Sequence, residues 1–402
     1  MNKDYSKFNK SQIYLSAGSH FITDIYQSFI IGLIPILTLK FDLSLFKVGL
    51  LTATGLIANS LFSPIFGYFS DRHGLKYYII AGPLFTSLFL SLIGILPNYY
   101  FLLAFLFLGN LSIAAYHPAS AAIAGHFGGS KKGLRSSIIN FGGNFGYSIG
   151  SLLIILIVEK LNINLTPIAM IPGLIMVIAL FRLIPDARYG NKKGDYLNFS
   201  RIIRNINKKK IYMLFTIMFS VYSLYILWIT LITYMPLYYT DLNVTLINIG
   251  IILFFFRMLG GSGGLLSGFI FDHFKKGSLI IQIGFALALP LFFFTFKTSG
   301  LASIILFISG GFFLISVQPV CIRMTQDLMP GNMSLASSLI LGFSPGIAAI
   351  TMIFLGKVAD IIGIPALVNY ELILIIFTLL ILFIFPVIER SSENGRQSVS
   401  KK

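Results

Sequence analysis

Twelve apolar stretches dominate this 402-residue chain. They run 12–38, 47–69, 77–96, 100–124, 135–158, 165–185, 211–239, 245–270, 278–297, 300–326, 335–362 and 366–388. A helix that crosses a bilayer needs about 20 mostly apolar residues. Several stretches are longer than this, which predicts tilt or protrusion from the membrane. Only 11% of the residues are charged, against 56% hydrophobic. Soluble domains carry about 25% charged residues, so this chain has too little charge to cover a water-facing surface of its size. A soluble enzyme and a disordered chain are thereby excluded. The single cysteine, Cys321, excludes a disulfide framework and a cysteine-based zinc cluster. The expected fold class is an all-α membrane protein with twelve transmembrane helices. The first stretch is too long for a cleavable signal and carries His20 and Asp24 inside it.

The net charge of +16 lies between the stretches rather than within them. With the N-terminus inside, 23 of the 30 Lys and Arg face the cytoplasm and 5 face the opposite side. Arg257 and Arg323 fall inside stretches. This bias predicts that both termini are cytoplasmic. It also makes the lipid bilayer the partner of the basic loops, with no nucleic acid expected. The long polar segment 186–210 is basic and separates six stretches from six. The expected organisation is a six-helix bundle at 1–185, a cytoplasmic linker at 186–210, a second bundle at 211–388 and a cytoplasmic tail at 389–402.

An offset of 201 maps the first half onto the second without gaps. Pro35 maps to Pro236, Gly49 to Gly250, Gly67 to Gly268, Asp71 to Asp272, Gly109 to Gly310 and Pro118 to Pro319. Matched Asp, Pro and Gly at one constant offset are far rarer than matched apolar residues. Six helices per half keep both halves in the same orientation, so the repeat is parallel, with its pseudo-two-fold axis along the membrane normal. Such repeats place a substrate site near the midplane between halves. Helix two carries Gly55, Asn59, Ser63 and Gly67 at four-residue spacing. Its repeat mate carries Gly260, Gly264 and Gly268. Small residues at this spacing permit close backbone approach, and they serve a static contact and a sliding seam equally well.

The loop after helix two reads Gly67-Tyr-Phe-Ser-Asp71-Arg72-His-Gly74-Leu75-Lys76. It resembles the G-x-x-x-D-R-x-G signature of the major facilitator superfamily. A decayed copy follows at Gly268-Phe-Ile-Phe-Asp272-His273-Phe-Lys275-Lys276. Leu75 and His273 stand where the signature has basic residues. His20-x-x-x-Asp24, Tyr116-His117-Pro118 and Asn140-Phe-Gly142-Gly143-Asn144-Phe-Gly146 are similar to the fosmidomycin-resistance branch of that superfamily. The resemblance implies two pseudo-symmetric six-helix bundles and a proton-driven exporter of small molecules. Gating is expected at Gly67, Asp71, Arg72, Gly268 and Asp272, with Asp71 latching the cytoplasmic side, and a topological signal plus a tight turn at Gly74 is the alternative.

Ionisable residues inside a bilayer are costly and face a cavity or a partner. His20 and Asp24 are four apart, so they share a helix face about 6 Å apart along the axis. Such a pair holds or releases a proton according to which side admits water. Gln27 extends the same stripe. His117 precedes Pro118, which cannot donate to the carbonyl of Ala114 and so leaves an acceptor free. The second-half counterpart, Gln318-Pro319, is polar but does not titrate in the same range. Proton coupling is thus expected at Asp24, His20 and His117, with a buried structural hydrogen bond as the alternative.

Helix five carries Ser136, Asn140, Asn144 and Ser148, again four apart. A polar stripe must face protein or water, not lipid. Arg257 is an intramembrane cation whose repeat mate is Leu56. Gln27, Asn140, Asn144, Arg257 and Gln318 are the expected substrate contacts, with interhelical hydrogen bonding as the alternative for the asparagines. Arg257 is also a candidate counter-ion to Asp24. Arg323 and Asp327 are four apart and read as a local ion pair. The aromatics Tyr222, Tyr225, Trp228 and Tyr234 read as packing or an interface belt.

No Gly-x4-Gly-Lys-[Ser/Thr] occurs, so no ATP-driven pump is encoded. The expectation is a proton-coupled secondary transporter, an exporter of small antibiotic-like or metabolic molecules. A proton symporter for uptake of sugars or organic acids is the second reading. A membrane-embedded enzyme acting on lipid would need a catalytic cluster, and His73, His126 and His273 are isolated from carboxylate partners except through Asp71 and Asp272. No catalytic residue, metal or cofactor is expected beyond the proton gradient. A monomer in a bacterial-type inner membrane completes the expectation.

Overall fold

The computed structural model describes residues 9–127, 132–184, 208–329 and 339–399. Most of the expected linker, 186–207, lies outside them. The described residues are helical, with no β-strand among them. In chain order the helices are α1 (Lys10–Gln27), α2 (Phe29–Phe41), α3 (Leu45–His73), α4 (Leu75–Ser91), α5 (Tyr99–Phe127), α6 (Lys132–Lys160) and α7 (Met170–Leu183). They continue as α8 (Lys208–Asp241), α9 (Leu246–Phe274), α10 (Gly277–Thr295), α11 (Gly300–Leu328), α12 (Ser344–Ile362) and α13 (Ile364–Val399). Among the described residues, twelve segments are long and apolar enough to cross a membrane, from Lys10–Phe41 to Ile364–Ile384. They coincide with the twelve stretches of the sequence. The first segment is broken where one helix was expected. At Ser28 the side-chain hydroxyl donates to the Ile25 carbonyl at 3.0 Å, competing with the backbone ladder.

The internal repeat is written into the helix bounds. α3 and α9 each span 29 residues from Leu45 and Leu246, and α5 and α11 each span 29 from Tyr99 and Gly300. Both pairs keep the 201-residue offset.

Contacts divide the chain into two compact units. The first takes the described residues of Met1–Asn191 together with Thr230–Met258 and Ala349–Ile364. The second takes those of Lys192–Ile229, Leu259–Ala348 and Pro365–Lys402. The division cuts through α8, α9 and α12, because one end of each packs with the first six segments.

In the first unit α6 lies against α1. A Cβ on Gly142, Gly146 or Gly150 would run into the carbonyls of Ala17, Phe21 and Ile25. Glycines every four residues thus meet carbonyls every four residues, and the two backbones touch. The small-residue stripe of α3 faces α5. Gly55 abuts the Asn110 side chain, and Gly67 lies against Pro118. The Ser63 hydroxyl has two acceptors within reach, Asn59 Oδ1 at 3.1 Å and the Ala114 carbonyl at 3.4 Å. This is the carbonyl that Pro118 leaves without its helical donor. The sliding-seam reading of the stripe is therefore replaced by packing inside one unit. An apolar cluster of Ile13, Leu75, Ile79, Tyr116, Ile123 and Leu180 closes the same unit.

The second unit repeats the device. Gly260 lies against Ile315, Gly263 against the Phe312 carbonyl and Gly264 against Pro319. The Thr378 hydroxyl donates to Ser223 at 2.9 Å, and the Gln282 amide donates to the Leu382 carbonyl at 2.8 Å.

Candidate functional site

Three segments build the site around Asp24. His20 sits one turn before it on α1, as the spacing requires. Their Nε2 and Oδ2 atoms are 3.3 Å apart. The other carboxylate oxygen, Oδ1, lies 3.2 Å from His117 Nε2 on α5. One carboxylate therefore holds an imidazole on each oxygen. The side chains of Asp24 and His20 retain 10% and 12% of their accessible surface, and that of His117 retains 30%. Burial and two partners make this an electrostatically closed group, since an unpaired carboxylate at this depth is costly.

The surroundings fix the geometry. The two imidazole rings are 5.1 Å apart, and Tyr116 packs 5.6 Å from the His20 ring. The buried Tyr116 hydroxyl shares a 2.6 Å hydrogen bond with Ser19. The third wall is Gly143 of α6. A Cβ there would stand 2.5 Å from His20 Nε2 and 2.7 Å from Asp24 Oδ2. The glycine is what lets α6 close over the pair. The donor atoms of His20, Asp24 and His117 lie within 4.8 Å of one another, near enough to surround a metal ion. Each carboxylate oxygen already has its own imidazole at hydrogen-bond distance.

The expected substrate residues fall into separate places. Asn140 and Asn144 are exposed on α6, on the polar stripe that the sequence marks. Arg257 Nη2 donates to Asn144 Oδ1 at 3.3 Å, and its guanidinium lies 4.8 Å from the Tyr147 ring centre. The structure thus sets Arg257 against α6, while Asp24 takes two histidines as its close partners. Gln27 is half-buried at the end of α1. Gln318 belongs to the second unit, where its amide donates to the Tyr225 hydroxyl at 2.7 Å. Tyr225 is therefore a polar partner as well as a packing residue.

Of the expected gating residues, Gly67 contacts Pro118 and Gly268 has open space around it. The Arg72 guanidinium lies 4.4 Å from the Tyr68 ring centre. Asp272 pairs with Lys275 at 3.3 Å on its own helix end, and both side chains are exposed. The side chain of Asp71 lies outside the described residues. Arg323 and Asp327 form the local ion pair that their spacing implies, at 3.5 Å.

Sequence reasoning passed over Gly143 as a wall of the site, and Gly49 as a contact point. A Cβ on Gly49 would meet the Tyr234 hydroxyl, and one on its repeat mate Gly250 would meet Leu152 and Ile155. The matched pair was visible in the 201-residue offset, although its neighbours were not.

Comparison with known proteins bears on the family and the fold. The Major Facilitator Superfamily profile matches residues 17–340. The fosmidomycin resistance protein of Escherichia coli (strain K12) is 26% identical over 352 residues, covering 85% of this chain and 84% of its own. An uncharacterised MFS-type transporter of Bacillus subtilis (strain 168) is 25% identical over 357 residues, covering 86% and 85%. Among solved structures, a bacterial homologue of the human lysosomal transporter Spinster, inward-facing and occupied, superposes with a TM-score of 0.78 at 12% identity, covering 97% of this chain and 98% of its own. The nucleoside transporter NupG gives 0.74 at 12% identity, covering 94% and 99%. The motifs, the twelve helical segments and these matches agree: the chain is a multi-pass membrane protein that belongs to the Major Facilitator Superfamily, in its fosmidomycin-resistance-like branch.

Proposed function

We propose that the protein is a proton-coupled exporter that works by alternating access. It expels small molecules, anionic ones among them, from a bacterial-type cell in exchange for inward protons. It acts as a monomer in the inner membrane, with both termini cytoplasmic and no cofactor beyond the proton gradient. The observation that carries this reading is the Asp24 carboxylate held between His20 and His117. A buried acid with two basic partners on different helices exchanges its proton when either helix moves. Arg257, with Asn144 beside it, supplies a cation and an amide for a substrate anion. The relative named for fosmidomycin resistance supports the export direction.

The test is efflux from vesicles carrying the purified protein under an imposed pH gradient, with phosphonate and other drugs as cargo. Wild type is expected to move cargo uphill and to stop when a protonophore is added. Asp24→Asn is expected to abolish uphill movement while the protein remains folded. Wild-type-like uphill rates in Asp24→Asn would remove proton coupling from this site.

A further inference from the structure

We propose that Asp360 is the latch of the outer side, seated on the first turn of α3 in this state and released once in every transport cycle. The inference rests on the alternating-access reading, and it adds a residue outside the two loops read above as carrying the superfamily signature.

The first turn of a helix has N–H groups with no partner in the helix. On α3 these belong to Leu45, Phe46 and Lys47. The Leu45 N–H donates to Asp360 Oδ1 at 2.7 Å, and the Phe46 N–H donates to Oδ2 at 3.1 Å. The Lys47 N–H donates to the Ser44 hydroxyl at 3.4 Å. All three are thereby satisfied, two of them by a side chain some 300 positions away in sequence. A carboxylate on a helix N-terminus is also favoured by the helix dipole.

The contacts around the carboxylate belong to the same closure. The Tyr234 hydroxyl donates to the Leu45 carbonyl at 2.9 Å. A Cβ on Gly356 would stand 2.8 Å from the Phe46 Cα, so α12 touches the α3 backbone there. Gly49 gives the matching approach against Tyr234 and the Met352 carbonyl. The Thr233 hydroxyl donates to Thr52 at 3.1 Å, two turns further along α3. The Asp360 bonds lie at an exposed edge. Water weakens charge–dipole attraction there, which suits a bond broken repeatedly.

The sequence carries a sign of this role. Gly356-x-x-x-Asp360-x-x-Gly363 repeats the spacing of Gly67-x-x-x-Asp71-x-x-Gly74. Gly74 and Gly363 both end their helices with positive φ, 99° and 79°. The repeat mate of Asp360 is Glu159, near the end of α6. The Glu159 side chain is exposed and makes no hydrogen bond or ion pair among the described residues. It is the natural control.

The experiment uses the full chain in proteoliposomes with Cys321→Ser and Thr52→Cys, so that one thiol reports opening of the seam. A membrane-impermeant maleimide is added without cargo or pH gradient. Asp360→Asn is expected to speed labelling by about tenfold, the loss of one charge-assisted hydrogen bond. Leu45→Pro tests the same bond from the other side. Proline is tolerated at the first helical position and deletes that donor together with the half-buried leucine side chain, for which Leu45→Ala is the matched control. Ser44 already has the extended backbone that a following proline demands, with φ −69° and ψ 163°. It is expected to give the same acceleration, and it decides the matter if Asp360→Asn is recovered unfolded. Glu159→Gln is expected to label at the parent rate. Labelling within about twofold of the parent in the latch variants would overturn the proposal, as would an equal acceleration in Glu159→Gln. The readout needs no proton movement, so a failure of proton coupling leaves it interpretable.

Discussion

Asp24 on α1 and His117 on α5 are 93 positions apart, yet their Oδ1 and Nε2 atoms meet at 3.2 Å. His20 reaches the same carboxylate from one turn away on its own helix. The two imidazoles therefore differ in what can separate them from Asp24. His20 moves with α1, whereas His117 leaves whenever α5 shifts. In the proposed cycle His117→Gln is expected to cut gradient-driven efflux by about a hundredfold, the scale of a lost proton-transfer partner. Downhill exchange of cargo against cargo, which needs no net proton movement, is expected to persist. Parallel assays of the two modes on one vesicle preparation check this, and an equal loss in both modes would refute it.

Gly143→Ala places a methyl group where His20 Nε2 and Asp24 Oδ2 stand. Overpacking of this kind costs about 1–3 kcal/mol. A lower thermal midpoint in detergent and loss of uphill efflux are expected together. Gly268→Ala, which meets open space, is expected to leave the midpoint unchanged or higher. Equal midpoints for the two variants would count against the packing account.

Arg257 is held by Asn144 and Tyr147. Arg257→Gln is expected to weaken binding of anionic compounds by about tenfold or more, as for a lost charge-assisted contact. Neutral compounds are expected to keep their affinity. Ligand-induced thermal shifts of wild type and variant measure both classes, and a uniform loss across them would remove Arg257 from anion recognition.

The Ser63 hydroxyl lies 3.4 Å from the Ala114 carbonyl that Pro118 leaves free and 3.1 Å from Asn59 Oδ1, and it can donate to either. Ser63→Ala is expected to cost about 1 kcal/mol, the scale of an interhelical hydrogen bond in a membrane. In a Pro118→Ala background the backbone N–H of residue 118 returns, and the serine is expected to matter less. A double-mutant cycle on detergent-unfolding free energies reads the difference. Strict additivity would show that the two residues do not share that carbonyl.

The sequence made local relationships readable and left distant ones hidden. The twelve segments follow from hydropathy, because lipid demands long apolar helices. The pairing of His20 with Asp24 follows from helical spacing alone. The third member, His117, was marked by its proline neighbour and by the Tyr116-His117-Pro118 resemblance, but its pairing with Asp24 was not, since nothing in a linear chain states which way α5 faces. The stripe from Gly55 to Gly67 fitted packing and sliding equally, because both need small residues. Only its neighbours Asn110, Ala114 and Pro118 decide for packing. Arg257 was legible as an expensive cation, but its partners on α6 were not. Asp360 went unnoticed because its partners are backbone N–H groups, which every residue but proline owns.

Of the two imidazoles on the buried acid, His117 retains the larger accessible surface, 30% against 12% for His20. In the proposed cycle a hydrogen ion arriving from solvent is expected to meet His117 before His20. Deuterium oxide is then expected to slow the arrival step more in wild type than in any variant whose acid is wetted directly. In that cycle the more accessible ring governs timing as well as affinity.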